Sequence, residues 1–491
     1  MLLTRSLESL AAISLVSGVM ADSAGSSGHQ GAAGACALLQ QKVPHIVHFP
    51  GTLEYLTNID HYEEVATQDS ACGVTPKMVE DVRIIIRTVG RDDVRSPFAI
   101  KSGGHALNPG FSSTLGVQIS LQNFLDFEYD SKAQTVRLGS AWTWDAVYEK
   151  LQPENVTVVG ARISGVGMGV LFGGGFSWYT NQHGLAVDNV IAFDLVLPNG
   201  TYVNVKQNSH PDLYFGLRGG LNNFGIVTGA TLRTWPSGRI WGGNIEYSIN
   251  HKDQVIKAVE EFSMNNKDEK AQLEATYTVT SKRAFWQVLF FYDAPVASPI
   301  PFRRFLSIPS TKDTTKITTH SQLVKDSKFP PVIGSYFHTV PIIHYTARIL
   351  DVVEKTINAS YAKSLVDERS AGVFYWIAEP FFNHYSHISY PSAFPHSTSN
   401  PTTPSCFWFN YTSPRDVEYF RQLIKDAGTE VQKAVVQEGQ GHWDDVKYPN
   451  YAVKGTAVEE VYGKSLDRMR ALKARIDRKD VMGLQGEGFL I

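Results

Sequence analysis

The chain has 491 residues, 43% of them apolar and 19% charged, and its 45 Lys and Arg against 48 Asp and Glu leave a net charge of −3. That length points to two or three domains, and the composition excludes a disordered or collagen-like chain. With no basic excess to neutralise a phosphate backbone, nucleic acid is not an expected partner.

Leu10 to Met20 is a short run of apolar and small residues preceded by Arg5 and followed by Ala21. It predicts a secretory signal peptide over residues 1–21 and is too short for a membrane anchor. Residues 22–34 are rich in Gly, Ser and Ala and predict a flexible stretch. No later segment is an apolar run of about 18 residues, so no membrane partner is expected. Secretion permits a disulfide; Cys36 and Cys72 are expected to pair, leaving Cys406 free. Sequons at Asn155, Asn199, Asn358 and Asn410 fit a secreted glycoprotein.

Thr75-Pro76 predicts a helix start, with Thr75 as cap; Met78, Val79, Val82, Ile85, Ile86 and Val89 follow at helical spacing, and Gly90 ends it. Phe98-Ala99-Ile100 reads as a short strand entering the turn Lys101-Ser102-Gly103-Gly104-His105. A second helix, capped by Thr143, fits Trp144 to Leu151. Ile191, Phe193, Leu195 and Leu197 alternate as a strand, Asn199-Gly200 turns, and Tyr202, Val203 and Val205 return. Between Gly160 and Gly229 lie 14 of the 40 glycines, which marks close backbone approach or positive φ angles. After Trp235-Pro236 glycine thins out, and strands such as Ala275 to Val279 and Phe285 to Phe291 alternate with polar loops. A domain boundary is placed between Trp235 and Gly243, and a helix over Ser465 to Ile476.

Several chemistries fail on spacing. Gly165-Val-Gly167-Met-Gly169 lacks the third glycine of the dinucleotide fingerprint, because Val170 and Phe172 stand there. Gly463-Lys464-Ser465 lacks the upstream glycine of a phosphate loop. No His-Glu-x-x-His, Cys-x-x-Cys or Gly-x-Ser-x-Gly occurs, so no metal ligands are assigned and no serine nucleophile is expected.

What remains is an ordered set. Lys101-Ser-Gly-Gly-His105 is followed by Gly160-Ala-Arg-Ile-Ser-Gly-Val-Gly-Met-Gly169 and Leu171-Phe-Gly-Gly-Gly175. Then come Gly184-Leu-Ala-Val-Asp-Asn189, Leu197-Pro-Asn-Gly200, Asp212-Leu-Tyr-Phe-Gly-Leu-Arg-Gly-Gly220 and Asn223-Phe-Gly-Ile-Val-Thr228. Read alone, the first block is a Gly-rich turn whose backbone N–H groups suit an anion. Together, over about residues 60–238, the set closely resembles the PCMH-type FAD-binding domain of the vanillyl-alcohol oxidase superfamily, in its berberine-bridge-enzyme-like branch. Tyr448-Pro-Asn-Tyr451, Tyr462-Gly463 and Asp477 resemble that family's closing segment, whereas Lys464-Ser465 and Arg478 depart from it.

The resemblance implies an α+β fold: a two-subdomain FAD-binding domain (35–238), a substrate domain with an antiparallel sheet flanked by helices (239–445), and a C-terminal segment returning to the FAD domain (446–491). It implies FAD held by Lys101, Ser102, Gly103, Gly104, His105, Gly165, Val166, Gly169, Gly174, Gly175, Gly225, Ile226, Val227 and Asn450. The flavin would be attached covalently through His105, where a neutral imidazole is a suitable nucleophile. The attachment would be a single link, because Ile163 stands where many relatives carry a second, cysteine link. Lys101 replaces the usual Arg and loses its fork. Val166 resembles the small residue of relatives that react with molecular oxygen. Tyr448, then Tyr451, is the candidate catalytic base, each requiring a lowered pKa to act as tyrosinate. His183 is a lesser candidate. Phe374, Tyr375, Trp376, Phe381, Phe382, Phe407, Trp408 and Phe409 are numerous enough to line an apolar substrate pocket, although most suit a core. The expected activity is oxidation of an alcohol or similar C–H of a small, secondary-metabolite-like molecule, with oxygen reduced to hydrogen peroxide. A carbohydrate oxidase, a flavoprotein cyclase with little net redox, and a binding protein that keeps the fold remain open.

Overall fold

A computed structural model of the chain describes residues 25–328, 332–382, 390–395 and 401–491. The expected signal peptide lies outside the described residues. The helix Gly25–Lys42 begins inside the stretch whose composition suggested flexibility. Its Ala32, Ala35, Cys36 and Leu39 repeat at helical spacing and are all buried, so one small-residue face packs. Cys36 is bonded to Cys72 at the start of the strand Cys72–Val74, which latches the helix to a sheet, and Cys406 is free and buried.

That sheet has four strands in the order Val47–His48, Cys72–Val74, Val117–Ser120 and Phe98–Lys101, the last three parallel. Against it lies the helix Val79–Val89, with Val82, Ile85, Ile86 and Val89 buried at helical spacing. Thr75 does not cap it. The helix starts four residues later, where the Asp81 carboxylate accepts the Lys77 and Met78 N–H groups, while the Thr75 hydroxyl meets His48. Thr143 likewise occupies the cap position of the helix Trp144–Leu151 without a side-chain cap.

A second, five-stranded antiparallel sheet runs Phe127–Asp130, Thr135–Gly139, Ile226–Arg233, Val190–Val196 and Tyr202–Lys206. Leu197 N–H donates to Thr201 O around the Asn199-Gly200 turn, with Gly200 at φ +79°. Arg83 and Arg87 from the first subdomain donate to the carbonyls of that turn.

The third sheet has eight strands, all between Arg239 and Tyr411. Arg239–Ser248, Ala284–Tyr292, Ala271–Val279, Ala371–Ala378, Ser405–Tyr411 and Gly334–His338 follow one another across it, every pair antiparallel. One core of this region combines buried residues of the sheet with those of the helices Lys252–Asn265, Ala347–Val366 and Val417–Gln437. Among the sequons, Asn155, Asn199 and Asn358 are exposed; Asn410 is buried within Ser405–Tyr411, which removes it as a glycan acceptor in the folded chain. The C-terminal segment crosses back: Asn108 Nδ2 donates to Ala452 O, Lys454 N–H to Asn108 Oδ1, and Asn450 Nδ2 to Val170 O.

Candidate active site

One continuous cavity of about 480 Å³ is lined by the turn after Phe98–Lys101, the Ala161–Phe172 segment, the third sheet and the segments Tyr448–Tyr451 and Gln485–Leu490. Its first wall is made of two glycine loops stacked backbone to backbone. A Cβ on Gly103 would stand 2.8 Å from Gly167 N, and one on Gly167 would stand 2.4 Å from Gly103 N. Trp144 fixes the second loop, its backbone N–H donating to Val166 O and its indole to Gly167 O. The Ser102 hydroxyl donates to Ser140 O and accepts from Met168 N–H.

His105 ends the first loop and lines the cavity. Tyr62 lies flat on it, ring centroids 4.2 Å apart, and Tyr62 N–H donates to Gly104 O. Burial pushes the imidazole pKa down to about 4, so it is neutral at physiological pH.

Of the residues singled out from the sequence, Ser102, Gly103, Gly104, His105, Val166, Gly169, Val227, Tyr448, Asn450 and Tyr451 line this cavity. Six do not. Lys101 turns away, and its ammonium donates to Thr57 O and Asp60 O at the end of the helix Leu53–Ile59. It is buried, with its pKa lowered to about 8 by desolvation, so it fastens that helix and offers no charge to a phosphate. Gly165 sits just behind His105, its absent Cβ 3.7 Å from the ring. Gly174 and Gly175 take φ of +109° and +82° and admit Phe394 and Ala186. Gly225 lets the chain approach Val196 O, and Ile226 is in the core of the first subdomain. His183 stacks on Trp235 at 3.9 Å.

The facing wall is one side of the third sheet. Side chains alternate along a strand, so Asn244, Gln287, Leu289, Glu274, Thr276, Ile377, Cys406, Trp408 and Phe337 all present to the cavity. Among them is a charged cluster that the sequence reading missed. Arg162 is buried and faces two carboxylates: its Nη2 donates to Glu379 Oε2 at 2.6 Å, and its Nη1 lies 2.7 Å from Glu274 Oε1. The Tyr451 hydroxyl accepts from Arg162 Nη2 at 2.7 Å and donates to Glu379 Oε1 at 2.9 Å. Burial raises the Glu379 carboxyl to about 7 against the pull of Arg162, and raises Glu274 in the same direction. The signals were present in the sequence: Glu274 sits among the alternating polar residues of Ala271–Val279, and Glu379 follows directly on an aromatic-rich strand.

Neither tyrosine is poised as a tyrosinate. Burial raises both phenols despite the nearby cation. The Tyr448 oxygen accepts from Asn450 Nδ2 and Phe176 N–H, which places it as a fixed prop.

The cavity can be tested for FAD on its own geometry. Among the described residues, the N–H groups of Gly103, Gly104 and His105 find no protein acceptor, and Gly104 takes φ +68°, a concave run suited to a pyrophosphate. A Cβ on Gly169 would meet no protein atom within 4 Å, although the residue lines the cavity, so space is left there. A neutral histidine, an anion nest and a cavity of about 480 Å³ fit the cofactor. No group of three or more His, Cys, Asp or Glu among the described residues forms a metal-binding cluster, and no described helix is long and apolar enough to cross a membrane.

Comparison with known proteins agrees with this geometry. The model of the FAD binding domain family matches residues 70–206. The FAD-dependent monooxygenase sdcF of Emericella nidulans is 33% identical over 331 residues, covering 64% of this chain and 69% of the relative. The bifunctional solanapyrone synthase of Alternaria solani is 35% identical over 58% of this chain and 55% of its own. Several of the curated relatives it matches are spanned over little more than half of their own length. Among solved structures, a carbohydrate oxidase from Microdochium nivale in complex with a substrate analogue superposes with a TM-score of 0.75 at 19% identity, covering 91% of this chain and 98% of that one.

Proposed function

The chain belongs to the FAD-linked oxidoreductases of the berberine-bridge-enzyme-like family, and on that premise we propose that it oxidises an alcohol or similar carbon centre of a small organic substrate. The observation that carries this reading is Tyr451, whose hydroxyl bridges Glu379 and Arg162 on the wall of the cavity that also holds His105. FAD, when bound, supplies the two-electron acceptor, with molecular oxygen as the terminal oxidant and hydrogen peroxide as product.

The chain's residues supply binding, orientation and a proton acceptor. His105 is the attachment point, and Ile163 offers no second nucleophile. The substrate loses a hydride from carbon and a proton from its hydroxyl. Glu379 takes that proton, directly or through the Tyr451 hydroxyl, which donates to it. A carboxyl held near 7 can accept a proton at neutral pH and release it again, which a carboxyl near 4 does poorly. Arg162 compensates the charge of the ionised Glu379 until it takes the proton. Val166, half-buried on the cavity wall, leaves a small side chain beside the first loop, consistent with oxygen access.

The test is acid precipitation of the purified protein followed by a peroxide screen against alcohols, sugars and aromatic metabolites. Yellow colour should stay with the wild-type pellet and leave it in His105→Ala, whereas Cys406→Ala should keep it. Flavin bound without peroxide from any class would favour ring closure; a protein without flavin would end the reading.

A further inference from the structure

Glu63 lies outside the reacting cluster. It has no exposed surface and no basic partner in any ion pair among the described residues. Its backbone takes φ −111° and ψ 144° at the entry to a short 3-10 turn, Glu64–Ala66. Tyr62 lies on His105. Glu63 turns to the third sheet, where it accepts from Ser335 N–H at 2.8 Å and from the Ser335 hydroxyl at short range. The Ser335 oxygen in turn accepts from the Trp408 indole N–H at 2.7 Å.

Trp408 is a node of the substrate wall. Phe337 and Tyr375 are its partners across the strands, the first edge-on at 5.5 Å and the second stacked at 4.9 Å. Phe337 also meets Tyr451 edge-on at 5.4 Å. Glu63 therefore stands where two chains of contact meet: Tyr62 to His105 on the cofactor side, and Ser335, Trp408, Phe337 and Tyr451 on the substrate side. Beside it, Val65 N–H donates to Ile333 O, so the same segment is pinned to the sheet twice. A buried carboxyl with no cation is costly unless its hydrogen bonds hold something in place.

We propose that Glu63 is a positioning residue, which sets the Trp408 indole and the Tyr62–His105 stack in register and so fixes the width of the cavity between cofactor and substrate wall. It touches neither substrate nor cofactor. The cofactor half of the idea rests on the His105 reading above; the Trp408 half does not.

The experiment uses the full chain and two readouts. The emission of Trp408, one of nine tryptophans, is isolated as the difference between each variant and its Trp408→Phe counterpart. The flavin that stays with the acid-precipitated protein reports the His105 side. Glu63→Ala should shift the Trp408 emission to longer wavelength and lower the acid-stable flavin several-fold. Glu63→Gln, whose amide oxygen still accepts from Ser335, should restore both. Ser335→Ala should reproduce the emission shift, and it serves if Glu63→Ala does not fold. Unchanged emission in Ser335→Ala, or a Glu63→Gln as altered as Glu63→Ala, would overturn the proposal. If the wild type itself holds no acid-stable flavin, the attachment reading fails, and the emission comparison still decides the role of Glu63.

Discussion

Tyr448 and Tyr451 lie three residues apart and face the same cavity, yet their partners give them different work. Tyr448 receives two N–H donors and props the wall; Tyr451 passes a hydrogen bond to a carboxylate. The sequence reading named both tyrosines and put Tyr448 first; the hydrogen bonds single out Tyr451 instead, through Glu379 and Arg162, which come from other segments of the chain. Glu379→Gln is expected to lower kcat by about 10²–10⁴-fold, the usual worth of a positioned base. The sign of the pH dependence follows from the same residue. Below about 7 the wild-type carboxyl is protonated and cannot accept the substrate proton, so the rate should rise as pH passes upward through about 7. That limb should be absent in Glu379→Gln, and Tyr451→Phe should displace it without abolishing it. Rates measured from pH 5 to 9 under single-turnover conditions check this; a limb unchanged in Glu379→Gln would assign the proton elsewhere.

At the scale of loops and helices, the clustering of glycine was legible as close backbone approach, but what approaches what was not. Gly103 and Gly167 are packed against each other, Gly174 and Gly175 make room for side chains, and only Gly169 leaves its space to the cavity. These positions separate cofactor binding from folding. Gly169→Val should leave the thermal midpoint near that of wild type while the flavin-to-protein absorbance ratio falls several-fold; a fully loaded Gly169→Val would place the cofactor elsewhere. Gly103→Ala should instead destabilise the fold, because its Cβ meets backbone that cannot yield cheaply. The opposite lesson holds at Gly25–Lys42. Composition suggested a floppy leader, and the buried face Ala32, Ala35, Cys36, Leu39 was obscured by the Gly and Ser around it. The Cys36–Cys72 bond spans a sequence separation of 36 residues, and losing it should cost about 2–4 kcal/mol. Chemical denaturation of Cys36→Ser/Cys72→Ser against wild type measures that; coincident curves would make the bond decorative.

Over the whole molecule, alternation and turn residues made the strands readable, while the joining of subdomains was not, since it rests on single buried polar groups with no periodic signature. Lys101 was read as facing the cofactor and instead fastens the helix Leu53–Ile59; Glu63 drew no notice and spans two domains. Such a joint has a thermodynamic signature. Burial holds the Glu63 carboxyl at about 8 in the folded chain, against an ordinary value of 4.5. Between those values the native state binds a proton that the unfolded chain has released, so this group's contribution to stability declines as pH rises through that window and levels off above about 8. Each unit of displacement corresponds to about 1.4 kcal/mol. Glu274 and Glu379 are raised for the same reason and add a slope of the same sign, so the wild-type profile alone cannot assign it. The difference between Glu63→Gln and wild type can. The amide does not titrate and still accepts from Ser335, so thermal melts at matched ionic strength should show Glu63→Gln gaining on wild type from pH 5 to about pH 8 and levelling off above it. Parallel profiles would mean that the carboxyl is already ionised in the native protein at pH 5, and that the joint holds its charge by solvation the buried geometry does not offer.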